Sequence, residues 1–361
     1  MSSKNRKHLK IIACVLFVIL CNTAGVFANN PKQIVNLKGD WKFSIGDNPD
    51  WKNPNYNDKD WDRVYVPGSW EENGYNDYNG FAWYRTEFEL LDDITEEIVF
   101  LSLGYIDDAD EVYINGHFIG GFGNMPPNVS TAFDTQRRYE IPLKYLNFNA
   151  TNHIAVRVYD YYNDGGIVAG PIGLYSVVKD PLLEVNLTGF WFFETENENG
   201  LGKQKQEKQI ARKIFVPGYW EDNGYRDYDG RATYKTRFEL PKKLVNQELF
   251  LVLGFIDDSE IVYLNGEEIG SITSLKETEK YNLPDHEIFR GYLIPNKLLK
   301  YEGYNSISVI VYDKGGNGGI YKGPIGIATK ENYEILKKAS AKEESVKEKS
   351  AWESFLDLFG Y

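Results

Sequence analysis

Two kinds of side-chain cluster in this sequence have the types and spacing that recognition of a polyhydroxylated ligand needs. The first holds Trp70, Glu71, Tyr75, Asp77, Tyr78 and Trp83. A second stretch repeats it as Trp220, Glu221, Tyr225, Asp227 and Tyr228, with Thr233 where Trp83 stood. A sugar offers an apolar C–H face and a rim of hydroxyls. A flat ring beside carboxylate acceptors matches both, so these residues are candidate ligand contacts. Aromatic rings also dominate cores, and Trp70 and Tyr84 plugging a core is the competing reading. Because Thr233 replaces Trp83, Trp83 is not fixed by the core plan and is expected to be exposed.

The second kind is acidic. Asp107-Asp108 and Asp257-Asp258 each precede an apolar run. Adjacent carboxylates are costly to bury unless hydrogen-bonded or bound to a cation. They cap a turn, hold sugar hydroxyls, or bind a structural Ca²⁺, which favours clustered oxygens. Asp160 and Asp313 open glycine-bearing loops that run to Gly166 and Gly319. Each acid is either part of one wall of a ligand cleft or part of a rim loop packed on its neighbour.

Other chemistries find no support. There is no Gly-x-Ser-x-Gly elbow, and Gly46-Asp47-Asn48 lacks the serine of a Gly-Asp-Ser block. His117, His153 and His286 have no metal-ligand spacing. Acidic pairs of the kind glycoside hydrolysis uses are too common here to discriminate. No catalytic residue, metal centre or cofactor is therefore assigned, a structural Ca²⁺ aside.

The chain has 361 residues, 40 Lys and Arg against 53 Asp and Glu, and a formal charge of −13. This acidity argues against nucleic-acid partners, which require a basic face, and against a polybasic grip on anionic lipid. Residues 1–28 read as a secretory signal: a basic start, the apolar run Ile11 to Leu20, then Val26-Phe27-Ala28 before the cut. Cys14 and Cys21 both lie inside it. A secreted chain without disulfides suits a bacterial periplasm or cell surface. No later segment is apolar and long enough to span a membrane.

The rest is one domain written twice. Residues 66–90 and 216–240 agree at 17 of 25 positions, 99–120 and 249–270 at 13 of 22, and 154–173 and 307–326 at 12 of 20. The period is too long for a solenoid, so it predicts tandem globular domains over 33–180 and 183–329. Thr86 to Leu90 and Ile154 to Val158 alternate with period two. Asn115-Gly116 and Asn265-Gly266 follow apolar runs and predict tight hairpins. The fold class is all-β, with two β-sandwich or jelly-roll domains.

These residues resemble a known domain. Val66-Pro67-Gly68-Ser69-Trp70, Trp83-Tyr84-Arg85-Thr86-Glu87-Phe88 and Ile106-Asp107-Asp108 through Asn115-Gly116 are similar to the N-terminal sugar-binding, galactose-binding-like jelly roll of family 2 glycoside hydrolases. Val158-Tyr159-Asp160 and Gly165 through Gly173 resemble the related jelly roll of sialate O-acetylesterases. Both repeats share the resemblance. It implies a galactose-binding-like fold that, in those enzymes, accompanies a separate catalytic domain. A (β/α)₈ barrel of about 250 residues has no room here.

After the repeats, Lys330 to Lys349 is Lys/Glu-rich and reads as a solvated helix or linker. Trp352, Phe355, Leu356 and Phe359 follow at helical spacing. This amphipathic C-terminal helix either folds back on the second domain or docks a protein partner. The leading expectation is a secreted, non-catalytic carbohydrate-binding or adhesion protein that takes a glycan or glycosylated protein. The alternative is an assembly component of the envelope that makes protein contacts. A third reading is an accessory subunit of a glycosidase or esterase.

Overall fold

The computed structural model describes residues 31–90, 98–177, 179–196, 212–272 and 285–342. In the first repeat the strands are β1 (Lys32–Asn36), β2 (Gly39–Ile45), β3 (Asp62–Val66), β4 (Gly80–Glu89), β5 (Ile98–Asp107), β6 (Ala109–Ile114), β7 (His117–Phe122), β8 (Gln136–Glu140), β9 (Thr151–Asp160) and β10 (Gly166–Val177). They form a six-stranded sheet ordered β3-β2-β4-β9-β6-β7 and a four-stranded sheet ordered β1-β10-β5-β8. The second repeat supplies β11 (Val185–Asn186), β12 (Gly189–Thr195), β13 (Arg212–Val216), β14 (Gly230–Glu239), β15 (Leu249–Asp257), β16 (Ser259–Leu264), β17 (Glu267–Ile272), β18 (Arg290–Ile294), β19 (Tyr304–Asp313), β20 (Gly319–Lys322) and β21 (Gly326–Thr329). Its sheets are ordered β13-β12-β14-β19-β16-β17 and β11-β21-β15-β18, with β20 also on β15. The ladders in both repeats are antiparallel.

Period-two patterning drives each sandwich. Along β9, Ile154, Val156 and Val158 face inward, and β19 does the same with Ile307, Val309 and Val311. The same register carries Asp160 and Asp313 to the inner face at the strand ends, where both are buried. Asn115 and Asn265 adopt positive φ at the β6–β7 and β16–β17 turns, as Asn-Gly hairpins require.

Strands β5 and β15 are buried on both faces. One face enters the sandwich core through Leu101 and Leu103, or Leu251 and Leu253. The other carries Phe100 or Phe250. Phe100 packs against Phe190 and Phe215 of the second sandwich, with ring centroids 6.1 and 5.0 Å away. Phe250 is covered instead by a helix, α1, spanning described residues 330–342. Tyr333 of α1 stacks on Phe250 at 4.2 Å, and Leu336 is fully buried.

Of the expectation that Lys330 to Lys349 is a solvated helix or linker, the helix holds over 330–342 and the solvation is corrected, because one face of it is buried. Two large apolar residues on one face are enough, because Val252, Ala328 and Leu183 supply the opposing surface. The Thr329 hydroxyl accepts the Asn332 N–H at the start of α1. The predicted docking residues Trp352, Phe355, Leu356 and Phe359 lie outside the described residues. No described helix is long and apolar enough to cross a membrane.

Candidate functional site

The Trp70 cluster closes one end of the first sandwich. The Trp70 ring is wholly buried and meets Phe43 and Tyr78 at 6.0 and 5.6 Å. Its Nε1–H donates to the Tyr78 carbonyl. Gly165 lies so close to the indole that a Cβ there would stand 2.1 Å from it. Tyr75 donates its hydroxyl to Asp62, and Tyr78 donates to the Phe81 carbonyl. Asp77 is exposed at φ 59° and turns the chain. Glu71 accepts the Gly165 N–H and so pins the rim loop.

The second sandwich repeats this arrangement. Trp220 is buried against Phe193 and Tyr228, Gly318 sits on its ring, and Tyr225 meets Phe193 edge-on. Tyr228 donates to the Arg231 carbonyl, Asp227 turns at φ 53°, and Glu221 accepts the Gly318 N–H. A ring with no exposed face cannot stack on a sugar. Trp70 and Trp220 are therefore core plugs, and the Tyr75, Tyr78, Tyr225 and Tyr228 rings are half-buried covers for them.

Trp83 is likewise corrected: it is 1% exposed, not a surface platform. It stacks on Tyr113, meets Trp51 edge-on, and donates to Asp47 at 3.0 Å. Segment 47–61 folds over it. Buried Arg85 clamps that segment by donating to Asp58, Asn53 and Trp51. Thr233, at the matching position of the second copy, is half-buried.

The acidic corners lie where β5 meets β6 and β15 meets β16. Asp108 accepts the Tyr161 N–H, and Asp258 accepts the Lys314 N–H. Asp160 and Asp313 accept the N–H two residues on. Turn capping is thus one role of these acids. Burial and the neighbouring Asp108 carboxylate push Asp107 up well above the usual carboxylate range. Burial and the equivalent neighbour Asp258 do the same to Asp257. Burial raises Asp160 to about 6, and it raises Glu221 to about 7.

Sequence reasoning passed over the bracing cation at each corner. Arg137 is wholly buried; its Nε donates to Asp110, Nη1 to the Ala132 and Thr135 carbonyls, and Nη2 to those of Ile106 and Asp108. Tyr139 completes the network by donating to Asp110. Arg290, Glu260 and Tyr292 rebuild it in the second copy. The signal was a paired Arg-x-Tyr, at Arg137 and Arg290, two residues of one strand face.

A further feature lies between the sandwiches. A cleft of about 410 Å³ is lined by Phe100, Tyr175, Phe215, Tyr219, Tyr321 and Arg138, among others. Tyr219 and Tyr321 stack 5.0 Å apart and within 2° of parallel. Tyr175 stacks on Phe100 at 5.5 Å. Arg138 lies 5.6 Å from the Phe215 ring centre. Its guanidinium makes no hydrogen bond among the described residues, so its donors are open to a ligand. Asp222 stands nearby and favours its charged form against burial. None of these was singled out from the sequence. The signal was in the repeat alignment: Tyr219 and Tyr321 stand where the first copy has Ser69 and Val168.

Comparison with known proteins places the family-model match on the first sandwich. Residues 46–164 match the family model described as the β-galactosidase second all-β domain. A β-glucuronidase of Formosa agariphila is 27% identical over 146 residues, which is 37% of this chain and 14% of that protein. Among solved structures, a Bacteroides uniformis β-glucuronidase aligns at TM-score 0.37 and 17% identity, covering 80% of this chain and 28% of that one. A family 2 glycosyl hydrolase of Bacteroides cellulosilyticus aligns at TM-score 0.36 and 15% identity, over 77% and 31% of the two chains. Residues 46–164 thus resemble an all-β domain of β-galactosidases, and the chain spans a small part of the length of these enzymes.

Proposed function

We propose that this is a non-catalytic carbohydrate-binding protein, exported from the cytoplasm, whose ligand lies in the cleft between the sandwiches. The observation that carries this reading is the cleft's lining. The stacked, half-buried Tyr219–Tyr321 pair and half-buried Tyr175 provide apolar ring surface, with Phe100 buried behind Tyr175. The uncommitted donors of Arg138 and the exposed Asp222 carboxylate supply partners for hydroxyls. Concave sites with aromatic walls and a few convergent polar groups are the usual form of small-ligand sites. The resemblance to a family 2 accessory domain supports the same substrate class.

The first copy provides the control. Tyr219→Ser with Tyr321→Val installs residues that the first sandwich already carries at these positions. Glycan-array and calorimetric binding should show saturable binding by the parent chain and at least a ~10-fold loss in the double variant. An empty array, or binding unchanged by the double variant, would sink the reading. A defined envelope protein captured alongside an empty array would support the assembly reading, for which exposed Phe192 offers an apolar contact.

A further inference from the structure

We propose that Asp107, Asp108 and Asp160 form a binding site for a hard divalent cation, with Ca²⁺ as the best fit. One carboxylate oxygen from each lies within 4.8 Å of the others. Carboxylate oxygens gathered this closely suit a hard divalent cation, and Ca²⁺, which accepts many oxygen ligands in flexible geometry, tolerates an irregular set better than octahedral Mg²⁺.

The second observation is Asp160 itself. The residue is wholly buried, and the register of β9 turns it inward beside Val158. Its Oδ1 accepts the Tyr162 N–H, while Oδ2 has no hydrogen-bond partner. An unmatched buried carboxylate oxygen costs the full desolvation of that group. The Glu71 Oε1 is also buried without a partner, and the Glu71 charge faces Asp160. Arg137 favours the charged form of Asp107 through space, but its N–H groups donate to none of the three carboxylates. Its donors are committed to Asp110 and to four backbone carbonyls. The three carboxylates thus share a small volume with no direct ion pair to any of them among the described residues.

The second sandwich is the internal contrast. Asp257, Asp258 and Asp313 hold the equivalent positions, and Asp313 Oδ2 is likewise unmatched. Among the described residues, only the first corner gathers three such oxygens within reach of one ion. His286 also places an imidazole near Asp257. The site is accordingly assigned to the first copy. Cation binding there is independent of what fills the cleft between the sandwiches.

The test uses the full chain stripped with EDTA and titrated with Tb³⁺, then with Ca²⁺. Exposed Tyr161 and Tyr162 directly follow Asp160 and can sensitise bound Tb³⁺. The expected result is one Tb³⁺ per chain, displaced by Ca²⁺, with affinity at least 100-fold weaker in Asp160→Asn and unchanged in Asp313→Asn. Zero stoichiometry, or equal binding by parent and Asp160→Asn, would overturn the assignment. Should Asp160→Asn not fold, Asp107→Asn takes its place in the same comparison. A thermal scan of the unmodified chain gives a second readout. Ca²⁺ at 100 times its Kd should raise the folded-to-unfolded ratio about 100-fold, and no rise at millimolar Ca²⁺ would equally refute it.

Discussion

Phe100 and Phe250 occupy the same place in the two sandwiches, on the outward face of the smaller sheet, and they are covered by different things. Over Phe100 lie Phe190 and Phe215 of the next sandwich. Over Phe250 lies α1, with Tyr333 stacked on the ring and packed against Gly291. The residue matching Gly291 in the first copy is Arg138, which lines the cleft instead. One fold thus makes two surfaces from one template. Where the cover is a helix, the face closes tightly. Where the cover is a domain of fixed shape, a cleft remains beside the contact.

The largest expected effect breaks the helical side. Tyr333→Ala should destabilise the second sandwich by about 4 kcal/mol, in the range for truncating a buried aromatic. Calorimetry should show its transition falling while that of the first sandwich holds. A uniform shift of both would mean that the cover is not local. Phe215→Ala attacks the other side and should cost about 3 kcal/mol. Its expected signature is separation of the two transitions, because Lys213–Glu140 and Arg226–Asp134 are largely exposed pairs and contribute little. Transitions that stay merged would show that coupling runs elsewhere.

Smaller effects sharpen the comparison. Tyr219→Ser with Tyr321→Val makes the second copy's rim like the first. It should weaken glycan binding about 10-fold, or about 1.4 kcal/mol, with little change in melting temperature. The last expectation concerns pH. Burial raises Glu221 to about 7 in the folded chain, above its ordinary value of 4.5. Asp313 adds to the rise, while the Gly318 N–H opposes it. Between these values the folded state holds a proton that the unfolded state has released. Stability from this group is present below about pH 4.5 and is lost as pH rises through 7. Glu221→Gln should flatten that part of the melting profile while keeping an acceptor for Gly318. An unaltered profile would place the proton on another acid.

Much of this architecture was readable from residues alone. The repeat, the period-two strands and the Asn-Gly hairpins follow from local rules, and those rules act the same way in both copies. Even the inward position of Asp160 is implied by its register with Ile154, Val156 and Val158. The exposure of Trp83 was misread because one substitution, Thr233, was taken as a sign of surface. What decides its burial is segment 47–61, which lies far away in sequence and is held by Arg85. The cleft was missed for a related reason. Its walls come from both sandwiches, so no single motif contains it. Its trace is a set of differences between the repeats, with Ser69 and Val168 in the first copy against Tyr219 and Tyr321 in the second. Helix α1 was underestimated because its own apolar face is narrow, and most of the contact belongs to the sheet beneath.

The contact between the sandwiches joins unlike surfaces, the outward sheet face of one unit and the β12–β13 edge region of the next. Repetition of such a contact gives a ring where the rotation closes and a filament where it does not. Two features of the described residues disfavour repeating it. At one end, the positions matching Phe190 and Phe215 are Asp40 and Tyr65, both exposed, and the charge at Asp40 makes that edge a poor seat for another apolar sheet face. At the other end, α1 occupies the face where a third unit would sit. Helix α1 therefore covers, on the second sandwich, the counterpart of the face by which the first sandwich holds its neighbour.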